Sequence, residues 1–127
     1  TYIFDYLLRK RKLTLQEAAK VVAASFWATI ETKSEEEREQ EVLLRRMFPS
    51  LLITGPFSII LGFEGGLMAL NDRLKLRSMV CGEKGDKAYI ASEECAIRII
   101  EPELDKIYSP AGGEAVVYTL KNGGRRE

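Results

Sequence analysis

The side chains that could carry chemistry are few, because the 127-residue chain contains no histidine and only two cysteines, Cys81 and Cys95. Without histidine, the chain itself cannot supply a Ser-His-Asp triad, a Cys-His pair or a histidine-bearing metal site. The cysteines form neither a CxxC pair nor a disulfide framework, so we expect two small buried thiols in a reducing cytoplasm.

Charge and composition predict one domain with a hydrophobic core and no strongly charged surface. The chain has 19 Lys+Arg and 19 Asp+Glu, and 46% of its residues are hydrophobic. We therefore predict neither a nucleic-acid partner nor a membrane partner. The basic run 9–12 is interpreted as a helix C-terminus. The acids at 35, 36, 37, 39 and 41 are interpreted as the solvated start of another helix, rather than as metal ligands.

Three glycine pairs occur in the chain, at 65–66, 112–113 and 123–124. None has the spacing of a phosphate-binding loop, so each is interpreted as a turn. We predict no bound cofactor and no metal site.

Residues 1–51 have the apolar periodicity of helices. Thr14 with Glu17, and Ser34 with Glu37, match the capping box, in which a hydroxyl residue precedes a glutamate by three positions. We predict that one helix begins after Thr14 and another after Ser34.

Residues 52–127 have the pattern of a mainly β segment with one helix. Ser92 is predicted to cap that helix, over 93–100. The predicted strands are 57–61, 67–70, 76–81, 88–91 and 116–120. The whole chain is therefore predicted to be a single α+β domain, an antiparallel meander with helices on one face.

Some of these strands are apolar on both faces, as the neighbours Ile59 and Ile60 indicate. One helical layer covers only one face of a sheet. We therefore expect part of the apolar surface to pack against something outside this chain.

Three segments in order resemble a known family. Residues 55–82 read GPFSIILGFEGGLMALNDRLKLRSMVCG, residues 87–94 read KAYIASEE, and residues 110–120 read PAGGEAVVYTL. This order is similar to the second half of class-II glutamine amidotransferase domains, and most similar to the amidotransferase domain of glutamate synthase. The resemblance covers most of the chain, from residue 1 to about residue 120.

The resemblance implies part of an αββα sandwich of the N-terminal-nucleophile hydrolases. The family-type residues that match are Asp72, Arg77, Ser92 and Glu93. One interpretation places them near the glutamine pocket or at the interface with a synthase domain. The alternative, which we favour, is structural: Asp72 and Arg77 form a loop-fixing ion pair and Ser92 caps a helix.

The sequence departs from the family pattern at two loop positions. Lys75 stands where the family has glycine, and Ser78 where it has proline. Both departures concern local loop conformation more than family membership.

The implied activity of the complete domain is hydrolysis of glutamine to glutamate and ammonia, with the ammonia passed to a synthase domain or subunit. The family nucleophile is an N-terminal cysteine whose own α-amine is the base, and its other glutamine-binding residues precede the region matched here. We therefore expect this chain to lack an N-terminal half and to contain no catalytic residue, so that alone it is inactive. It is expected to pair with that half, to form a homo-oligomer or to aggregate.

Thr1 could in principle be an N-terminal nucleophile, but it leads directly into a helical pattern, so we expect no catalysis by it. Two other functions stay open. The chain could be a non-catalytic amidotransferase-like module for binding or regulation, or an amidotransferase domain of another acceptor class.

Overall fold

Helices form the first part of the computed structural model, which describes residues 2–51, 53 and 55–120. The first segment is α-helical at its start (α1, Tyr2–Asp5) and continues as a π-helical stretch, Tyr6–Lys10. The further helices of this part are α2 (Leu15–Val22), α3 (Trp27–Glu31) and α4 (Glu35–Met47), followed by a 3₁₀ turn, Phe48–Leu51.

The two predicted capping boxes differ in the structure. Thr14 Oγ1 accepts the amide hydrogen of Glu17 at 3.2 Å, and a Glu17 carboxylate oxygen accepts that of Thr14 at 2.8 Å, so the first box is confirmed. Ser34 occupies the N-cap position of α4, but its hydroxyl donates to Glu37 Oε2 at 3.1 Å and makes no bond to a backbone amide. The second box is therefore wrong, although the predicted start of the helix is correct.

The β part forms two three-stranded antiparallel sheets rather than one meander. The first sheet has the order β1-β2-β6 and the second the order β4-β3-β5. The strands are β1 (Ser58–Phe63), β2 (Gly66–Asn71), β3 (Val80–Lys84), β4 (Lys87–Ala91), β5 (Lys106–Tyr108) and β6 (Ala115–Thr119), with helix α5 (Glu94–Ile100) between β4 and β5. The α+β class is confirmed, whereas α3 and β5, both very short, are absent from the sequence prediction.

The predicted strand 76–81 is largely wrong, because β3 begins only at Val80 and continues to Lys84. The amides of Leu76 and Arg77 donate to the Asp72 side chain and not to a neighbouring strand. A segment whose amides are used in this way cannot join a sheet ladder.

The order of the layers follows from the way in which side chains alternate between the two faces of β2. Met68 and Leu70 belong to the core formed with α1, α2 and α4, whereas Ala69, between them, packs with Cys81 of the second sheet. Alternate side chains of a strand point to opposite faces. The first sheet is therefore covered by helices on one face and by the second sheet on the other.

Helix α5 covers the outer face of the second sheet. Ile97 is buried there, and a Cβ added to Gly82 would lie 3.2 Å from Ile97 Cγ2 and from a Leu104 methyl carbon. Glycine at this position thus permits close packing of the helix on the sheet. The layer order is helices, sheet, sheet, helix.

The prediction of one sheet with helices on one face is therefore corrected, since a second sheet packs on the other face of the first and α5 covers the second sheet. Ile60, in the edge strand β1, is still 58% exposed.

Within the described part of the chain, every helix falls short of the length and apolar character needed to cross a bilayer.

Candidate functional site

Asp72 is the best-defined of the predicted site residues, and it lies where β2 ends and the loop to β3 begins. Its side chain is buried, with 6% of the residue exposed. Oδ1 accepts the backbone N–H groups of Leu74 and Leu76 at 3.1 and 3.2 Å. Oδ2 accepts those of Phe57 and Arg77 at 3.3 and 3.4 Å.

These four donors determine the protonation state of the Asp72 carboxyl group. Burial pushes the pKa of the carboxyl group upward, but the backbone hydrogen bonds from Leu76, Arg77, Phe57 and Leu74 outweigh it and lower the pKa. An ionised carboxylate has about four lone-pair sites for hydrogen bonds, and here all four are filled by the backbone. The group is thus held ionised and has no free acceptor site for a substrate proton.

The backbone around Asp72 is shaped by this carboxylate. Lys75 donates its amide hydrogen to the Asp72 carbonyl at 2.9 Å and has a φ of 53°, in the left-handed region. The family pattern has glycine at this position, and glycine adopts that conformation at lower cost. Lys75 thus differs in residue type from the glycine of that pattern, but its backbone keeps the left-handed conformation that glycine favours.

The predicted ion pair between Asp72 and Arg77 is wrong. Of the described residues, the carboxylate of Asp72 contacts only backbone amides, including that of Arg77, while the Arg77 side chain is exposed. Asn71, which is buried, also fixes this end of the loop by donating from Nδ2 to the Arg77 carbonyl at 2.7 Å. Asp72 does hold the loop, but it does so through hydrogen bonds between its carboxylate and the backbone.

Ser92 and Glu93 follow β4 and are both exposed. The N-cap residue of α5 is Glu93, and no side chain caps the helix, so the predicted capping role of Ser92 is wrong. The pairing of Val80 with Ala91 places these residues at the same end of the second sheet as the loop that leads into β3. No hydrogen bond joins them to Asp72 or Arg77 among the described residues.

A cleft of about 340 Å³ opens beside the Asp72 loop, between α2 and the start of β1. Its wall is mainly apolar, and among the described residues Arg73 and Asp72 are the charged ones that line it. The lining residues are Val22, Ala23, Ala24, Phe48, Ile53, Gly55, Phe57, Asp72, Arg73, Leu74 and Leu76. The volume lies within the range of small-ligand sites, about 300–1,000 Å³.

Two arginines, 28 positions apart in sequence, meet at the Ala24 carbonyl: Arg73 lines the cleft together with Ala24, and Arg45 reaches the same carbonyl from α4. Arg73 Nη1 and Arg45 Nη1 donate to the same acceptor, the carbonyl of Ala24, at 3.0 and 3.3 Å. Burial, and then the neighbouring charge of Arg73, lower the pKa of Arg45. Among the described residues, neither arginine forms an ion pair, and the buried Nε of Arg45 has no hydrogen-bond partner.

Aromatic rings hold the two guanidinium groups in place. Arg73 lies 4.6 Å from the ring centre of Phe26 and 5.7 Å from that of Phe48. Arg45 lies 5.1 Å from the ring centre of Trp27, the one tryptophan in the sequence. The sequence prediction missed this pair, because Arg73 lies in the matched segment 55–82 and Arg45 near the end of a predicted helix, and nothing in the sequence links the two positions.

The acidic run at the start of α4 contains a second buried carboxylate, that of Glu41, which is 5% exposed. Its Oε1 contacts Lys33 Nζ at 2.6 Å and Lys20 Nζ at 2.9 Å. The interpretation of these acids as solvated is therefore wrong for Glu41. Charge pairing with two lysines makes its burial tolerable.

The two cysteines have different environments. Cys81 is buried between the sheets, and burial raises the pKa of its thiol. Cys95 on α5 is exposed, so the prediction of two buried thiols is wrong for it. Cys95 lies at the start of a short surface helix, where a cysteine side chain can stay exposed to solvent.

A polar cluster accompanies Cys81 between the sheets. The Tyr118 hydroxyl lies 3.1 Å from Glu83 Oε1 and 3.1 Å from the Tyr108 hydroxyl. Burial is the main cause that raises the pKa of Tyr118. Tyr118 thus stays protonated at neutral pH, and its hydroxyl joins the first sheet to Tyr108 and Glu83 of the second sheet by hydrogen bonds. No group of three or more potential metal ligands occurs in the described ranges.

Comparison with known proteins identifies a similar archaeal sequence but no family. No family model matches the chain, and no solved structure matches it. A protein of Archaeoglobus fulgidus, named only as uncharacterized, is 38% identical over 121 residues, which are 95% of this chain and 32% of that protein. The chain therefore spans about a third of the length of this relative.

Proposed function

We propose that the chain is part of a class-II glutamine amidotransferase domain, of the type found in glutamate synthase. In this proposal the complete domain hydrolyses glutamine to glutamate and ammonia in the cytoplasm. The ammonia passes to a synthase domain or subunit, which adds it to an acceptor. The free thiols of Cys81 and Cys95 support a reducing compartment.

The layer order of helices, sheet, sheet and helix is the observation that carries this proposal. The αββα sandwich of the N-terminal-nucleophile hydrolases requires that order, and the sequence resemblance was drawn from motifs alone. The segments that carry the resemblance also build the two sheets: 55–82 contains β1, β2 and the start of β3, 87–94 contains β4, and 110–120 contains β6.

The chain's own residues supply a support for the site, not the reacting groups. Asp72 fixes the loop between the two sheets, and its four backbone donors leave no acceptor site for proton transfer. Cys81 is buried with a raised pKa and cannot serve as a ready thiolate. The nucleophile is therefore proposed to be an N-terminal cysteine outside this sequence.

Glutamine hydrolysis by the archaeal relative and by a chimera tests the proposal. The chimera is the relative with its 121 matched residues replaced by those of this chain. We expect both proteins to release glutamate from glutamine, and a glutamine analogue that alkylates the nucleophile to abolish the release. The separate 127-residue chain should release none.

A matched variant tests whether an exposed thiol of this chain takes part in the reaction. In the chimera, Cys95→Ser alters an exposed thiol that the proposal does not use, so the activity should be retained. Absence of glutaminase activity from the relative itself would overturn the proposal. So would hydrolysis by the separate chain, because a nucleophile would then have to lie within it.

A further inference from the structure

Arg45 and Arg73 form a pair of like charges whose only described polar contact is a single backbone carbonyl. The carbonyl of Ala24 accepts one hydrogen bond from each arginine, at 3.3 Å from Arg45 and 3.0 Å from Arg73, and its two lone pairs are then used. Two guanidinium groups that share one acceptor repel each other, and the repulsion is relieved when an anion lies between them. The carbonyl satisfies one donor of each arginine but compensates neither charge.

Neither arginine is neutralised by the nearest acidic side chains. Glu41 lies one helical turn before Arg45 in α4, a spacing at which an ion pair commonly forms. Its carboxylate is instead taken by Lys33 and Lys20. Asp72 immediately precedes Arg73 but is taken by four backbone amides. Among the described residues neither carboxylate forms an ion pair with Arg45 or Arg73, although the ionised Asp72 lies in the wall of the same cleft as Arg73.

We propose that Arg45 and Arg73 bind the oxyanion head, carboxylate or phosphate, of a small organic anion whose apolar body lies in the adjoining 340 Å³ cleft. Guanidinium groups offer donors in a fork that matches two oxygens of such a head. The Nε of Arg45 is buried and has no hydrogen-bond partner among the described residues, so this arginine has unused donor capacity.

The wall of the cleft selects an organic anion over an inorganic one. Ala24, Phe48 and Leu74 lie beside Arg73 in the wall, so a bound molecule would extend from a charged head over apolar side chains. Stacking on Phe26, Phe48 and Trp27 limits the motion of both guanidinium groups, so less conformational entropy is lost on binding.

Trp27 fluorescence gives a direct measurement, because its ring lies against Arg45. Hexanoate, hexyl phosphate, acetate and neutral hexanamide are titrated into the full chain at constant ionic strength, against sodium chloride. We expect a saturable change with hexanoate or hexyl phosphate, and tighter binding of hexanoate than of acetate, by about fourfold for each buried methylene. Whichever six-carbon anion binds more tightly identifies the head group. Hexanamide and chloride should give no saturable change.

Arg45→Gln and Arg73→Gln should each raise the dissociation constant by about tenfold or more. Arg9→Gln is the matched control, since Arg9 is exposed and paired with Asp5, and it should leave binding unchanged. Equal responses to hexanoate and hexanamide, or unchanged binding in both site variants, would overturn the proposal.

Should a site variant fail to fold, the arginine Nε–H resonances of the unmodified chain decide. Those of Arg45 and Arg73 must shift on titration with the anion while that of Arg9 does not, and no shift at Arg45 and Arg73 overturns the proposal. This readout does not depend on glutaminase activity, so the proposed function and the anion site can fail separately.

Discussion

Two buried carboxylates are stabilised in different ways in the two parts of this molecule. Glu41, in the helical layer, is held by the charged ends of Lys20 and Lys33. Asp72, in the loop between the sheets, is held by four backbone N–H groups and by no cation among the described residues. Their exposed fractions are nearly equal, at 5% and 6%. Burial alone therefore does not explain how each is stabilised.

The partners of each carboxylate decide what it contributes to the fold. The lysines of Glu41 are long side chains that reach water, so their charges can be screened or moved. The amides around Asp72 belong to the chain path itself, so removing the carboxylate leaves donors that cannot turn to solvent without a change in the loop. We infer that Asp72 determines a conformation, whereas Glu41 joins two helices.

The largest expected effect is the loss of the Asp72 carboxylate. Asp72→Ala should lower the free energy of unfolding by about 4 kcal/mol, because several partly buried amides lose their acceptor together. Chemical denaturation measures this value. Arg77→Ala is the control: its side chain is exposed, so the loss should stay within about 0.5 kcal/mol. An equal loss in both variants would restore the ion-pair interpretation.

The second effect is the pH dependence contributed by Glu41. Burial raises the pKa of its carboxyl group, but hydrogen bonds from Lys33 and Lys20 outweigh burial and lower the pKa from 4.5 to about 2. A lowered pKa means that the ionised form is favoured in the folded state. The stabilisation is therefore complete above pH 4.5 and lost as the pH falls toward 2.

Glu41→Gln should therefore cost on the order of 3 kcal/mol at pH 7 and almost nothing below pH 2. Urea denaturation of both proteins across this pH range measures the difference. Glu36→Gln, a change at an exposed acid of the same helix, should leave the profile parallel to that of the unmodified chain. A cost for Glu41→Gln that does not vary with pH would contradict the charge argument.

The sequence predicts a hydrogen bond well when its two partners lie close together in the chain, and poorly when they lie far apart. The Thr14 cap was predictable because donor and acceptor are three residues apart. The same reasoning failed at Ser34, since a hydroxyl can donate as readily as accept and there it bonds to the Glu37 carboxylate. Local patterns thus predict where a helix starts more reliably than which hydrogen bond caps it.

Distant partners were beyond the sequence prediction. The resemblance singled out Asp72, but its bonds to backbone amides depend on the path of the chain, which residue types do not encode locally. Glu41 was interpreted as one of several solvated acids because Lys20, on another helix, is 21 positions away. The meeting of Arg45 and Arg73 at Ala24 likewise requires the packing of α2, α4 and the loop after β2.

A smaller effect should separate the two lysines of Glu41. Lys33 lies closer, at 2.6 Å against 2.9 Å, and its side chain is 30% exposed against 49% for Lys20. Lys33→Met should therefore cost about 2 kcal/mol and Lys20→Met about 1 kcal/mol, as the less solvated pair interacts more strongly. Thermal unfolding of both variants tests this order. Equal costs would indicate that the remaining lysine takes over the carboxylate in either case.

The smallest effect is the response to salt, and it distinguishes the two carboxylates most directly. At 1 M ionic strength charges are screened within about 3 Å, so the cost of Glu41→Gln should fall, by less than about 1 kcal/mol because the carboxylate itself is buried. The cost of Asp72→Ala should not change, because the partners of Asp72 are neutral amides and salt screens interactions between charges. Paired denaturation curves at low and high salt measure both costs. A fall of equal size for the two would mean that Asp72 also depends on a nearby cation, and that the loop is not held by its backbone amides alone.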